Sequence, residues 1–172
     1  LLARFLGGTT VDLAFIDGMH LFEYVLRDFM NVERFSGPTS IIALDDMLPR
    51  NVDEAARRRH TSDWTGDVFK LMTVLREHRP DLVLLPIDTE PTGILVVLGA
   101  DPTSVVLRDR YDQLLSEWIT PDPQSVPPEI INRRNAIDPL RFLSSPILES
   151  LIRGRGARGK AERVRESLRE QA

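Results

Sequence analysis

Two apolar runs, DLVLLPID at 81–88 and GILVVLG at 93–99, are separated by only the four residues TEPT. A parallel crossover takes about a dozen residues or more, so strands joined this tightly pair antiparallel. Pro86 has no N–H to give a ladder, which sends its strand to an edge, while the unbroken 94–98 run suits an interior place. The strand formed last is therefore expected between its predecessor and the rest of the sheet.

Upstream, VDLAFID at 11–17 is the kind of run found in a strand covered on both faces. Phe22, Val25, Leu26 and Phe29 then recur at helical spacing with charged residues between them, which predicts an amphipathic helix ended by SGP at 36–38. A second strand, SIIALDD, runs from 40 to 46. The polar stretch 47–63 exceeds an ordinary connection and is expected to be a functional loop or short helix. Val68, Leu71, Met72 and Leu75 define another helix, opening near Thr65 and stopping before Pro80. Strand, helix, strand, helix is an α/β signature.

Beyond Asp101 the pattern changes. Leu107, Tyr111, Leu114, Leu115 and Trp118 predict one helix within 102–120, and TPDPQSVPPE then reads as a proline-rich linker into a helical tail that fills 121–172. Net charge is −4, yet the segment from Arg153 onward carries a local excess of four positive charges, so the body is acidic and the tail basic. The tail lacks the interleaved aromatics that stack on bases, which argues against a nucleic-acid partner. Gly154, Gly156 and Gly159 satisfy a dinucleotide-type spacing, but they do not lie between a strand and a helix, so a basic connector is the expectation.

With 172 residues, 42% of them hydrophobic, the chain is long enough for a real core. The absence of cysteine excludes disulfides, thiolate metal sites and a cysteine nucleophile. No apolar run approaches the ~20 residues of a membrane span, and the first residues are too short for a signal peptide. A soluble, cytoplasmic protein with no membrane partner is expected.

Aspartates end the first two strands: Asp17 closes one, Asp45 and Asp46 the other. In open parallel sheets ligands bind at the carboxyl ends of the strands, so neighbouring strands would bring three carboxylates to one mouth. Such a cluster suits a hard cation such as magnesium. Equally, one carboxylate would bond a ligand amine or hydroxyl while another caps the next helix. Gly18 would allow close backbone approach. His20, three residues after Asp17, is a candidate general base or a helix-start residue bonded to backbone; His60 and His78 read as surface residues.

The stretch VDLAFIDGMHLFEYVLRDFMNVERFSGPTSIIALDD resembles the second half of a class I S-adenosylmethionine-dependent methyltransferase, of the group with an FIDGxHxYexvxxD block. WTGDVFKLMTVLREHRPDLVLLPIDTEPTGILVVLG looks like the rest of that domain, so the resemblance covers about residues 1–101. It implies a partial Rossmann-like sheet of the last parallel strands plus an antiparallel terminal hairpin, followed by a mostly helical C-terminal extension. It also implies S-adenosylmethionine as cofactor, with Asp17, Gly18 and His20 bordering it, and magnesium held by Asp17, Asp45 and Asp46. His20 stands where catechol-type relatives place a basic lysine. The implied reaction is transfer of a methyl group to a small-molecule hydroxyl. The 47–63 segment, with Arg50 and Arg57 to Arg59, would border the acceptor.

The resemblance begins after the family's glycine-rich turn and its acidic ribose-binding residue. A fragment or truncated chain is therefore expected, whose exposed sheet edge calls for its missing N-terminal half or a second copy as partner. A non-catalytic remnant serving as a binding or assembly module is the alternative. A hydroxylase-like relative with the same acidic site is a third possibility.

Overall fold

The computed structural model describes residues 2–154 and 166–170. Helix α1 (Leu2–Leu6) leads into strand β1 (Val11–Ile16), helix α2 (Phe22–Glu33) and strand β2 (Ser36–Leu44). A loop without regular structure runs to α3 (Lys70–His78), and β3 (Val83–Ile87) and β4 (Ile94–Leu98) follow. The C-terminal region consists of short helices, α4 (Val106–Asp109), α5 (Tyr111–Trp118), α6 (Pro128–Ile131), α7 (Pro139–Leu143) and α8 (Pro146–Gly154).

The sheet order is β1-β2-β4-β3. β1 and β2 are parallel, and β4 lies antiparallel to both β2 and β3. The short link after β3 and the missing N–H of Pro86 thus have the expected consequence: Pro86 sits on the outer strand, paired with Leu95, and its carbonyl accepts the N–H of Ile137 at 2.8 Å. The fold is α/β with a mixed four-stranded sheet.

One face of the sheet carries the main core. Phe22, Val25, Leu26 and Phe29 of α2 pack with Ile42, Leu44, Leu95 and Val97 and with Leu71, Met72 and Leu75 of α3, all of them buried. The face-sharing is set by helical spacing against strand alternation. The opposite face holds a smaller cluster, in which Val83, Leu85, Ile87, Val96 and Leu98 are covered by Ile147, Leu151 and Leu168.

Four expectations are corrected. β1 is not covered on both faces: Leu13 is 64% and Phe15 57% exposed, because the C-terminal helices reach over β3 and β4 and leave the β1 end of the second face open. SGP does not merely end a helix; it begins β2, where the partner of β1 jumps from Ser36 to Ile41 in register. Ser40 Oγ stitches that irregularity by donating to Val11 O and accepting from Gly37 N–H. The single helix expected within 102–120 is broken at Arg110 into α4 and α5.

The proline-rich stretch, lastly, is not a free spacer. Val126 and Ile130 enter the main core, and Asp122 accepts hydrogen bonds from the backbone N–H groups of Arg57 and Arg58. Of the basic tail, residues 155–165 and 171–172, with Gly156 and Gly159, lie outside the described residues. Among the described residues no helix is long and apolar enough to cross a membrane.

Leu44 is fully buried while Phe15 stands largely in solvent. Leu44→Ala is expected to cost about 2–5 kcal/mol in urea unfolding, and Phe15→Thr to stay within about 0.5 kcal/mol of the parent. Comparable losses for both would contradict the placement of β1 at an open edge.

Candidate functional site

The parallel pairing of β1 with β2 brings their carboxyl ends side by side, and Asp45 N–H donates to Ile16 O at 3.0 Å. Asp17 and the Asp45-Asp46 pair therefore meet at one mouth, as their strand-end positions predict. Asp46 adopts φ 62°, a left-handed conformation that aspartate tolerates better than most side chains. Asp45 Oδ1 accepts the Asp46 N–H at 2.9 Å, which fixes this turn.

His20 enters the same space from the start of α2. Its Nε2 lies 3.4 Å from Asp17 Oδ1, and its Nδ1 lies 3.2 Å from Asp46 Oδ2. Asp17, His20 and Asp46 each offer a ligand atom, all within 4.8 Å of one another, which is a grouping able to hold a metal ion. Asp45, expected as a third carboxylate ligand, is outside that grouping and is engaged with the backbone of its neighbour.

The imidazole is held by the 47–67 loop. Trp64 O lies 2.8 Å from Nδ1, and a carbonyl can only accept, so the hydrogen of the neutral ring resides on Nδ1 and the Nε2 lone pair faces Asp17. The Trp64 ring stacks on the imidazole with centroids 5.0 Å apart and planes 15° from parallel. Gly66 presses on the same turn: at its φ of 61° an added Cβ would sit 1.6 Å from His20 O, so only glycine fits. His20 thus has one of its two expected characters, a helix-start residue bonded to backbone, and it faces the acidic mouth.

The loop itself is tied down by charge. Arg57 pairs with Glu23 of α2 and with Asp67, each at 2.7 Å, and Lys70 reaches Asp67 at 3.0 Å. Asp67 also accepts the Phe22 N–H at 2.8 Å, which caps α2 from a distance because Leu21 supplies no cap. Burial opposes ionisation of Glu23, but its hydrogen bonds with Arg57 win and hold it below the usual carboxylate range. Arg50 is similarly occupied by Glu54 and Asp63. Of the arginines expected beside an acceptor, Arg50 and Arg57 are therefore structural, and Arg59 lies over the Trp64 ring, 6.0 Å from its centroid.

Sequence reasoning missed Trp64, Gly66, Asp67 and Asp28. Asp28 lines the same cleft as Asp17, Gly18 and His20, and burial lifts its carboxyl above the ordinary range. The close approach at Gly18 is to this residue, since a Cβ there would sit 3.0 Å from Asp28 Oδ2. A glycine followed by aspartate ahead of an apolar helical pattern was the one available signal for Gly66 and Asp67. No protein-family model, curated protein or solved structure matches the chain.

Burial is the largest influence on Asp46 and lifts its carboxyl above the usual 3.8; Asp45 and Asp17 push the same way, and Thr92 and His20 oppose them. The folded chain then holds this proton more tightly than the unfolded one. The stability it confers is present at low pH and lost as pH rises through the raised folded value. Asp46→Asn removes the charge and suits the left-handed backbone. It is expected to raise the urea midpoint at pH 7, with the gain shrinking as the medium is acidified toward about pH 4; a lower midpoint at pH 7 would contradict this.

Proposed function

We propose that this chain carries the metal-bearing half of an S-adenosylmethionine-dependent methyltransferase that acts on a small-molecule hydroxyl. The observation that supports this most is the convergence of Asp17, His20 and Asp46 at the carboxyl ends of two parallel strands. The inserted antiparallel β4 agrees with the sheet that the resemblance implies.

The donor chemistry fits a divalent cation. Asp17 and Asp46 supply oxygen, which magnesium prefers, and magnesium leaves the Nε2 lone pair of His20 unused. A bound cation would supply Lewis acidity that lowers the pKa of an acceptor hydroxyl. Asp17, exposed at the rim, and Asp46, deeper in the cleft, would fix the hydroxyl near His20. His20, kept in one tautomer by Trp64 O, would take the proton on Nε2. Arg59 and Trp64 form the nearest loop surface for the acceptor.

The fit to S-adenosylmethionine is partial. Asp17 and His20 form one side of a cleft, but among the described residues no glycine-rich turn joins a parallel strand to a helix to receive the rest of the cofactor. No step is therefore assigned to it, and its remaining contacts belong to the missing half or a second copy proposed as partner. The exposed Leu13 and Phe15 beside the open edge of β1 favour a second reading, in which the chain is an assembly module that docks through that edge.

Calorimetric titration with magnesium chloride separates the roles. Asp17→Asn and Asp46→Asn are each expected to weaken binding at least about tenfold, a loss of roughly 1.4 kcal/mol, and His20→Ala to stay within about threefold. A loss of about tenfold or more in His20→Ala would make His20 a ligand instead of the base. Saturable S-adenosylmethionine binding with magnesium, followed by labelled-methyl transfer to a catechol, is the outcome expected of the enzyme. Absence of cofactor binding with and without magnesium would leave the assembly reading for this chain.

A further inference from the structure

A cavity near the described C-terminal helices lies far from the acidic mouth in sequence and on the other face of the sheet. It has a volume of about 320 Å³, is open on one side, and is lined by residues of β3 and the α7–α8 region. Leu85, Ile137, Phe142 and Ile147 give it apolar walls, and Arg141 and Ser145 add polar groups. This size is at the low end for small-molecule sites, and the mixture of apolar wall and few polar groups is typical of them.

Two features of the polar groups point to a ligand. Ser145 Oγ is buried and has no hydrogen-bond partner among the described residues. A buried hydroxyl without a partner costs free energy, and native proteins retain few of them, so each calls for a group that completes it. The second is the Arg141 guanidinium, which has no carboxylate or carbonyl partner among the described residues although it borders the cavity. Arg57, Arg79 and Arg133, by contrast, are each paired with a carboxylate.

Asp138, the remaining charged group of the wall, is otherwise engaged. Its Oδ1 accepts the N–H groups of Leu140 and Arg141 as the cap of α7. The donors that the cavity offers are thus Arg141 and the Ser145 hydroxyl, set against apolar walls. A ligand that satisfies both carries a single negative charge with oxygen acceptors and an apolar body.

We infer that the cavity between β3 and α7–α8 binds a small amphipathic monocarboxylate, with the carboxylate on Arg141 and Ser145 Oγ and the apolar body against Leu85, Phe142 and Ile147. The bidentate geometry of a guanidinium on a carboxylate supplies orientation as well as attraction. The Asp138 charge nearby disfavours dianions. This site is independent of the acidic mouth and of the reaction proposed there.

The test is calorimetric titration of the whole chain with sodium octanoate, with 1-octanol as the uncharged control. Octanoate is expected to bind saturably with one site per chain, and octanol at least tenfold more weakly. Arg141→Gln should weaken octanoate at least tenfold and leave octanol unchanged. Ser145→Ala should weaken octanoate severalfold while leaving the unliganded melting temperature unchanged or higher, because the hydroxyl it removes has no hydrogen-bond partner among the described residues. Arg141 is exposed, so its variant keeps the fold, and circular dichroism checks this for both. No saturable binding, equal affinity for octanol, or an unaffected Arg141→Gln would overturn the assignment, as would a clear drop in the melting temperature of unliganded Ser145→Ala.

Discussion

The carboxylate of Asp67 is the contact on which the candidate site depends. It is fully buried, and it survives there because three donors from three different elements converge on it: the Phe22 N–H at the start of α2, the Arg57 guanidinium of the long loop and Lys70 at the start of α3. A buried charge is tolerated only when it is paired and hydrogen-bonded. Asp67 therefore joins these elements in one arrangement. Lys70 carries the connection further, since its ammonium also donates to Trp118 O and to Thr120 Oγ1.

Phe22, which donates to this hub, follows His20 by two residues, and Asp67 itself follows Gly66, so the same contact sets where the imidazole can be. Trp64 then fixes the ring by stacking and by its carbonyl, and Gly66 permits the backbone approach. His20 thus has its side chain fixed by Trp64 and its backbone pressed by Gly66, both from a loop with no regular structure. The acidic mouth opposite it holds Asp46 in a left-handed backbone conformation and in a buried setting that opposes its charge. Strain and unfavourable ionisation at one spot are the pattern of a functional site.

Much of the sheet was legible in the sequence, for identifiable reasons. The short link before β4 and the missing N–H of Pro86 leave few topologies open, and the order β1-β2-β4-β3 is among them. Asp17 and Asp46 were legible because strand ends and parallel pairing suffice to bring them together. The exposure of Leu13 and Phe15 was not, since an apolar run looks alike whether or not anything covers it. Nor was the docking of the proline-rich stretch: Val126 and Ile130 are two apolar residues in a polar, turn-forming context, and only tertiary packing identifies them as core. Asp67 and Trp64 act over 45 and 44 residues of chain, a separation at which local pattern carries no information.

The proposed function requires a cation between Asp17 and Asp46 beside His20. The most direct measurement is anomalous diffraction from crystals grown with manganese, a stand-in for magnesium that the same oxygen ligands accept. The account predicts a single strong anomalous peak within bonding distance of the Asp17 and Asp46 carboxylates. A peak held elsewhere, or no peak at this mouth at saturating manganese, would contradict it.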